Sequence, residues 1–141
     1  MSDLRNPIPA FNTPPTIDNI ADMAERALAA IPPVLAAHVR GLGVSVEERP
    51  DDELLEELGI ESAWELTGLY RGTPLTERSV SDPPRLPDFI FLFREPILLE
   101  WIETGEDLFR LVRSVVVHEI AHHFGFSDAD IEALEKDGEL E

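Results

Sequence analysis

Two histidines and a glutamate near the C-terminal end of the sequence are spaced as metal-binding residues of a hydrolase would be. His118, Glu119 and His122 form the pattern H-E-x-x-H. On a helix, residues four positions apart lie on one face, so both imidazoles can reach one ion at the roughly 2 Å distance of a Zn–N bond. Glu119 lies about 100° round the helix from His118. There its carboxylate can accept a proton from a metal-bound water. The pattern predicts one zinc ion held by His118 and His122, with Glu119 as general base.

A glycine and an aspartate after the motif suggest a third ligand. Gly125 allows a sharp turn after the helix, which can bring Asp128 back towards the histidines. Three protein ligands leave the fourth position for water, which is the arrangement of a catalytic zinc site. A competing interpretation makes Asp128 part of the N-terminus of a following helix, where Ser127, Asp128 and Asp130 precede Ile131. Both roles are compatible if Ser127 is the capping residue.

The motif is specific enough to favour a metal site over coincidence. A random chain of this length would contain H-E-x-x-H less than about one time in a hundred. The motif follows Val115, Val116 and Val117. Burying charged and polar side chains on such an apolar helix is costly unless something satisfies them. The alternative is a helix that carries two histidines and binds no metal.

Other side chains capable of chemistry are less closely tied to the motif. His123 follows the second histidine but points elsewhere on the helix, and we expect it to contact solvent or a metal ligand. His38 lies on a different predicted helix, away from the motif, and Trp64 and Trp101 are expected in or around the core. The phenol of Tyr70 could stabilise an oxyanion, although nothing in the sequence brings it near the metal.

The elements that must position these residues follow from hydrophobic periodicity, capping residues and Pro or Gly breaks. Residues 1–16 are predicted to be an irregular Pro-rich segment, and residues 17–141 a single domain. Helices are predicted over residues 16–30, 33–40, 51–58, 96–101, 106–124 and 127–134. Strands are predicted over residues 42–49, 65–71 and 89–93, with a long loop over 72–87. The pattern predicts an α/β (α+β) domain with a small sheet.

Phe89–Phe93 is the strongest strand signal in the sequence. Five consecutive apolar residues favour a strand buried on both faces. An exposed strand edge, by contrast, could align an extended peptide substrate by backbone hydrogen bonds. Both hold if the strand lies at the edge of the sheet and packs on both faces.

Composition narrows the classes of function. The 141-residue chain has no cysteine, which excludes disulfides, thiolate ligands and a cysteine nucleophile. Its formal charge of −18 argues against a nucleic-acid partner. The same charge could favour cationic substrates, collect divalent cations, or serve solubility alone. No signal peptide or membrane-spanning run is recognisable, so we expect a cytoplasmic protein without membrane contact. The oligomeric state is not predicted.

The extended motif H-E-x-x-H-x-x-G-x-x-D, together with the upstream run G-L-Y-R-G-T-P-L-T-E-R-S from Gly68 to Ser79, resembles the minimal-zincin family of small bacterial zinc metallopeptidases. The resemblance covers roughly residues 65–135. It implies a compact zincin-like domain in which a small sheet packs against the motif helix. It also implies that His118, His122 and Asp128 bind zinc and that Glu119 is the catalytic acid/base. Metzincins share a similar motif but have a later methionine turn, whereas the only methionines here are Met1 and Met23.

Two functions of different class are consistent with these residues. The first is a zinc-dependent metallopeptidase, in which a metal-bound water activated by Glu119 hydrolyses a bond of a peptide or protein substrate. The alternative is a non-catalytic or regulatory protein-binding module that keeps the fold and the metal site. The presence of Glu119 favours hydrolysis, because a structural metal does not need it and is usually enclosed by four protein ligands. Hydrolysis of another amide or an ester is a third possibility.

Overall fold

The computed structural model describes residues 13–39, 41–72 and 88–139. Most of the predicted Pro-rich segment (1–12) and nearly all of the predicted long loop (73–87) therefore lie outside the described residues. The division into a lead-in and one domain stays a prediction.

The described part of the chain contains six α-helices, three strands and one 3₁₀ turn. The helices are α1 (Ile17–Ala29), α2 (Pro33–Ala36), α3 (Asp52–Leu58), α4 (Arg94–Thr104), α5 (Leu108–His123) and α6 (Asp128–Glu139). The strands are β1 (Gly43–Glu47), β2 (Gly68–Arg71) and β3 (Phe89–Phe93), and the 3₁₀ turn is Ala63–Glu65. None of the described helices is both long enough and apolar enough to cross a membrane.

Local sequence accounts for where several helices begin and end. At the start of α1, Thr16 accepts a hydrogen bond from the Asn19 N–H while the Asn19 side chain accepts one from the Thr16 N–H, forming a capping box. The Asp51 side chain caps α3 by accepting a hydrogen bond from the Leu54 N–H. Gly59 ends that helix with a φ of 69°. Helix α2 is shorter than predicted, since it ends at Ala36.

The three strands form a mixed sheet in the order β1-β3-β2. Strand β3 is parallel to β1 and antiparallel to β2, so that Ile90 pairs with Val44 on one side and with Tyr70 on the other. The prediction that β3 could be an edge strand is wrong, because β3 is the central strand. Its burial follows from strand neighbours on both sides, and the edge strand beside the motif helix is β2.

Helix α5 packs across one face of this sheet. Ile90 and Leu92 are fully buried and belong to one core cluster with the apolar residues of α1 and α5. The contact with β2 is close at Gly68, where an added Cβ would lie 2.7 Å from Cγ1 of Val115. The expected α+β architecture, with a small sheet against the motif helix, is confirmed.

Candidate metal site

The motif lies on the last two turns of α5, and the chain reverses directly after it. Asp107 caps the start of this helix by accepting a hydrogen bond of 3.0 Å from the Arg110 N–H. At the other end, the Phe126 N–H donates to the Ala121 carbonyl (2.9 Å) and the Gly125 N–H to the His122 carbonyl (3.1 Å). Gly125 has a φ of +88°, so this is the glycine-terminated helix end that the sequence predicts. The turn carries the next segment back along the helix.

Helix α6 begins with a cap formed by Ser127 rather than by Asp128. The Asp130 N–H donates to Oγ of Ser127 (3.1 Å), and the Ser127 N–H donates to Oδ2 of Asp130 (3.0 Å). The hydrogen bonds from the Ser127 backbone and side chain lower the pKa of Asp130. The carboxylate of Asp128 takes no part in this cap.

Asp128 instead meets the second histidine of the motif. Its Oδ1 lies 2.8 Å from Nε2 of His122, across the turn at Gly125. Both side chains face solvent, since His122 is 49% exposed and Asp128 is 90% exposed. Two of the predicted ligand atoms are therefore side by side at the surface.

Nδ1 of His118 contacts the preceding turn of the helix. Its Nδ1 lies 2.8 Å from the Ser114 carbonyl and 3.3 Å from Oγ of Ser114, one turn earlier on α5. A carbonyl only accepts, so Nδ1 carries the proton and the lone pair is on Nε2. This backbone contact orients imidazoles in known metal sites and fixes which nitrogen can bind the ion. The centroids of the His118 and His122 rings are 6.0 Å apart.

Glu119 lies between the histidines and strand β2. Burial raises the pKa of its carboxyl group, while the neighbouring imidazoles of His122 and His118 and a hydrogen bond from the Tyr70 backbone N–H act to lower that pKa. Strand β3, the one strand paired with β2, does not use this N–H, because the Tyr70 N–H lies on the edge of β2 that points away from β3. A partly buried carboxylate with a raised pKa is a better proton acceptor than an exposed one.

Tyr70 is close to the motif, which the sequence gave no reason to expect. Its ring stacks on His123 with centroids 3.9 Å apart, and its hydroxyl donates to Oδ2 of Asp88 at 2.7 Å. The phenol is therefore engaged with Asp88. The backbone N–H of Tyr70 contacts Glu119, and the oxyanion role of the phenol stays a prediction.

His38 also lies nearer the motif helix than expected. It follows α2 and stacks on Phe124, the residue directly after α5, with ring centroids 4.7 Å apart. The side chain is exposed. His38 supports the end of the helix by packing.

The donor set fits zinc in chemistry and, to about 1 Å, in spacing. Two imidazoles sharing a tetrahedral zinc ion have ring centroids about 5 Å apart, and a nitrogen and an oxygen donor lie about 3.3 Å apart. The corresponding separations here are 6.0 Å and 2.8 Å. Within the described ranges no three His, Asp or Glu side chains are already grouped closely enough to hold an ion.

A small mixed sheet crossed by an H-E-x-x-H helix, with a glycine turn and an aspartate after it, defines a zincin-type domain. The chain belongs to the zincin-like metallopeptidase family, whose sequence model matches residues 39–138. The matched range includes β1 and all of the motif helix. No curated protein matches the sequence.

Proposed function

We propose that the protein is a zinc-dependent peptidase in which His118, His122 and Asp128 bind one zinc ion and Glu119 is the general base. Membership of the zincin-like metallopeptidase family supports the class of reaction. The observation that carries the residue assignment is the 2.8 Å approach of Asp128 Oδ1 to His122 Nε2. It supports a ligand role because Ser127 and Asp130 form the helix cap without Asp128.

Each side chain has a distinct role in this proposal. The contact from Nδ1 of His118 to the Ser114 carbonyl orients its Nε2 for metal binding. His122 and Asp128 supply a nitrogen and an oxygen donor from the solvent side. A zinc ion held there supplies Lewis-acid chemistry, since it makes water more acidic and polarises a scissile carbonyl.

Glu119 performs the proton transfers. Its carboxylate accepts a proton from the attacking water and then donates it to the amine of the leaving peptide. Burial against β2 keeps bulk water away from one side of this carboxylate, and the Tyr70 N–H fixes its orientation. A carboxylate in this role contributes roughly 10²- to 10⁴-fold to the rate.

The test compares the wild type with Glu119→Gln, an isosteric change that removes the base. Both proteins are loaded with zinc, their zinc content is measured by elemental analysis, and cleavage of a broad peptide library is followed by mass spectrometry. We expect equal zinc content and a cleavage rate lower by about 10²- to 10⁴-fold in Glu119→Gln. Glu103→Gln, an exposed change of the same chemistry on α4, is the matched control and should cleave like the wild type.

Two outcomes would contradict the proposal. Equal cleavage by the wild type and Glu119→Gln would remove Glu119 as the base. No cleavage by the zinc-loaded wild type would favour the protein-binding module that keeps the metal site.

A further inference from the structure

The face of the sheet that points away from α5 carries a groove with an apolar floor. Side chains alternate between faces along a strand, and Ile90 and Leu92 point towards the helices. Phe91 and Phe93 of β3 therefore point to the opposite face, where the partly exposed Phe91 forms the floor of the groove with Leu69 of β2. Phe93 is buried but lies outside the core cluster beneath the helices.

Helix α3 and the end of β1 form the walls of this groove. Its volume is about 300 Å³, and Leu54 of α3 continues the apolar surface of the floor. Carboxylates surround the opening: the lining includes Glu47, Asp51, Glu53 and Glu57. An apolar floor below an acidic rim is a surface for a ligand that is apolar along its length and positive at its end.

Only part of the negative charge at the rim is balanced by the residues that line the groove. Among the described residues that line the groove, Arg71 is the one cation, and its Nη2 lies 2.7 Å from Oε2 of Glu57. Asp51 is used as the cap of α3. Within the described ranges, no ion pair involves Glu47 or Glu53, and both side chains are exposed. Two carboxylates on opposite walls of the groove are thus available to a cation.

Aromatic rings extend the apolar floor beyond the groove. Phe89 stacks with Phe91 at a centroid separation of 6.2 Å, and its side chain is 38% exposed. The Phe89 ring lies directly over Gly43 of β1, where an added Cβ would contact it at 2.5 Å. Exposed aromatic faces beside carboxylates attract ammonium and guanidinium groups, which bind to both.

We propose that this groove, bounded by β1, β2, β3 and α3, binds a basic segment of a partner peptide or protein. The alkyl stem of a lysine or arginine would pack on Leu69 and Phe91, as such stems do on apolar surfaces. Its charged group would lie at the rim between Glu47 and Glu53. A volume of about 300 Å³ accommodates one or two side chains of this size.

Charge and position make a basic peptide the best match among possible occupants. A chain of formal charge −18 attracts cationic partners and repels a second copy of itself. The groove lies across the sheet from Glu119, so binding here does not depend on the proposed peptidase reaction. The basic peptide would bind to the face of the sheet that points away from α5 and would not be cleaved.

The test uses the Glu119→Gln protein as parent chain, so that no peptide can be lost by cleavage. The probe is an acetylated hexapeptide of alternating arginine and leucine, titrated calorimetrically and by amide NMR shifts at moderate salt. The hexapeptide with glutamine in place of arginine tests the need for charge. The hexapeptide with glycine in place of leucine tests the need for the apolar floor.

Two double variants distinguish binding in the groove from non-specific electrostatic binding to an acidic surface. Glu47→Gln with Glu53→Gln removes the two rim charges, and both positions are exposed enough to preserve the fold. Glu25→Gln with Glu103→Gln makes the same change of charge on α1 and α4. We expect the dissociation constant to rise at least tenfold in the groove variant and less than threefold in the control.

NMR shifts give the second readout, since they locate the peptide. Shifts confined to α3, the end of β1 and residues 69 and 91 would support the groove. Equal weakening in both double variants, or shifts spread over the surface, would overturn the proposal. The arginine–leucine peptide and the arginine–glycine peptide are also compared at high salt. Equal dissociation constants for the two would overturn the proposal, because the apolar floor would then contribute nothing.

Discussion

The two halves of the candidate metal site are built differently. In the inner half, His118 and Glu119 are partly buried, and each contacts a backbone group: the Ser114 carbonyl for His118 and the Tyr70 N–H for Glu119. In the outer half, His122 and Asp128 face solvent and contact each other. The inner half is held by backbone groups of the fold, whereas the outer half depends on a turn and on two exposed side chains. In the proposed site, the inner half would therefore set the position of the zinc ion and the outer half would complete its coordination.

The largest expected effect is on zinc affinity in the inner half. His118→Ala should weaken zinc binding by more than about 100-fold. In known sites, removing only a residue that hydrogen-bonds to a metal ligand already costs 10- to 100-fold in metal affinity. The affinity is measured by competition with a chelating indicator. The control is His38→Ala, which removes an exposed histidine with no predicted ligand role and should bind zinc like the wild type. Similar affinities for His118→Ala and His38→Ala would remove His118 from the site.

The contact of α5 with β2 predicts a strong effect on stability. Gly68→Ala places a Cβ 2.7 Å from Cγ1 of Val115, which should lower the free energy of unfolding by about 1–3 kcal/mol. The measurement is denaturant unfolding of the zinc-free protein. In a Val115→Ala background the added methyl group has more room, so about half of that loss should be recovered. An unchanged cost of Gly68→Ala in that background would show that β2 and α5 are not held by this contact.

Two neighbouring substitutions separate metal binding from helix capping in the outer half. Asp128→Ala should weaken zinc binding about tenfold and change the stability of the zinc-free protein by less than about 0.5 kcal/mol. Ser127→Ala should cost about 1 kcal/mol of stability, because it removes the cap of α6, and leave zinc affinity within threefold. Affinity and unfolding are measured on the same preparations. The reverse pattern would return Asp128 to a capping role.

The smallest effect is expected at Ser114. Its carbonyl, not its hydroxyl, makes the shorter contact with His118, at 2.8 Å against 3.3 Å. Ser114→Ala keeps the carbonyl and should alter zinc affinity by less than about threefold in the same competition assay. A larger loss would assign the orientation of His118 to the hydroxyl.

The sequence is sufficient to predict what depends on local spacing. The four-residue interval of His118 and His122, the turn at Gly125 and the helix caps are all encoded within a few residues of one another. The same holds for β3, whose apolar run marks it as a strand. The contact between Ser114 and His118 is also local, because Ser114 precedes His118 by one helical turn, but it was not predicted.

Features that depend on distant segments were missed or misplaced. The position of β3 at the centre of the sheet depends on the parallel pairing with β1, which no local pattern specifies. The approach of the Tyr70 N–H to Glu119 depends on how closely β2 packs on α5 at Gly68. The stacking of His38 on Phe124 likewise joins residues far apart in the chain. Such contacts follow from tertiary packing, which hydrophobic periodicity does not encode.

The most direct measurement is the stoichiometry of zinc binding by the wild-type protein. Zinc-free protein is titrated calorimetrically with zinc and the product is checked by elemental analysis after gel filtration. We expect one tightly bound zinc ion per chain. Zinc at background level under these conditions would contradict the proposed zinc site, even though the chain belongs to the zincin-like metallopeptidase family.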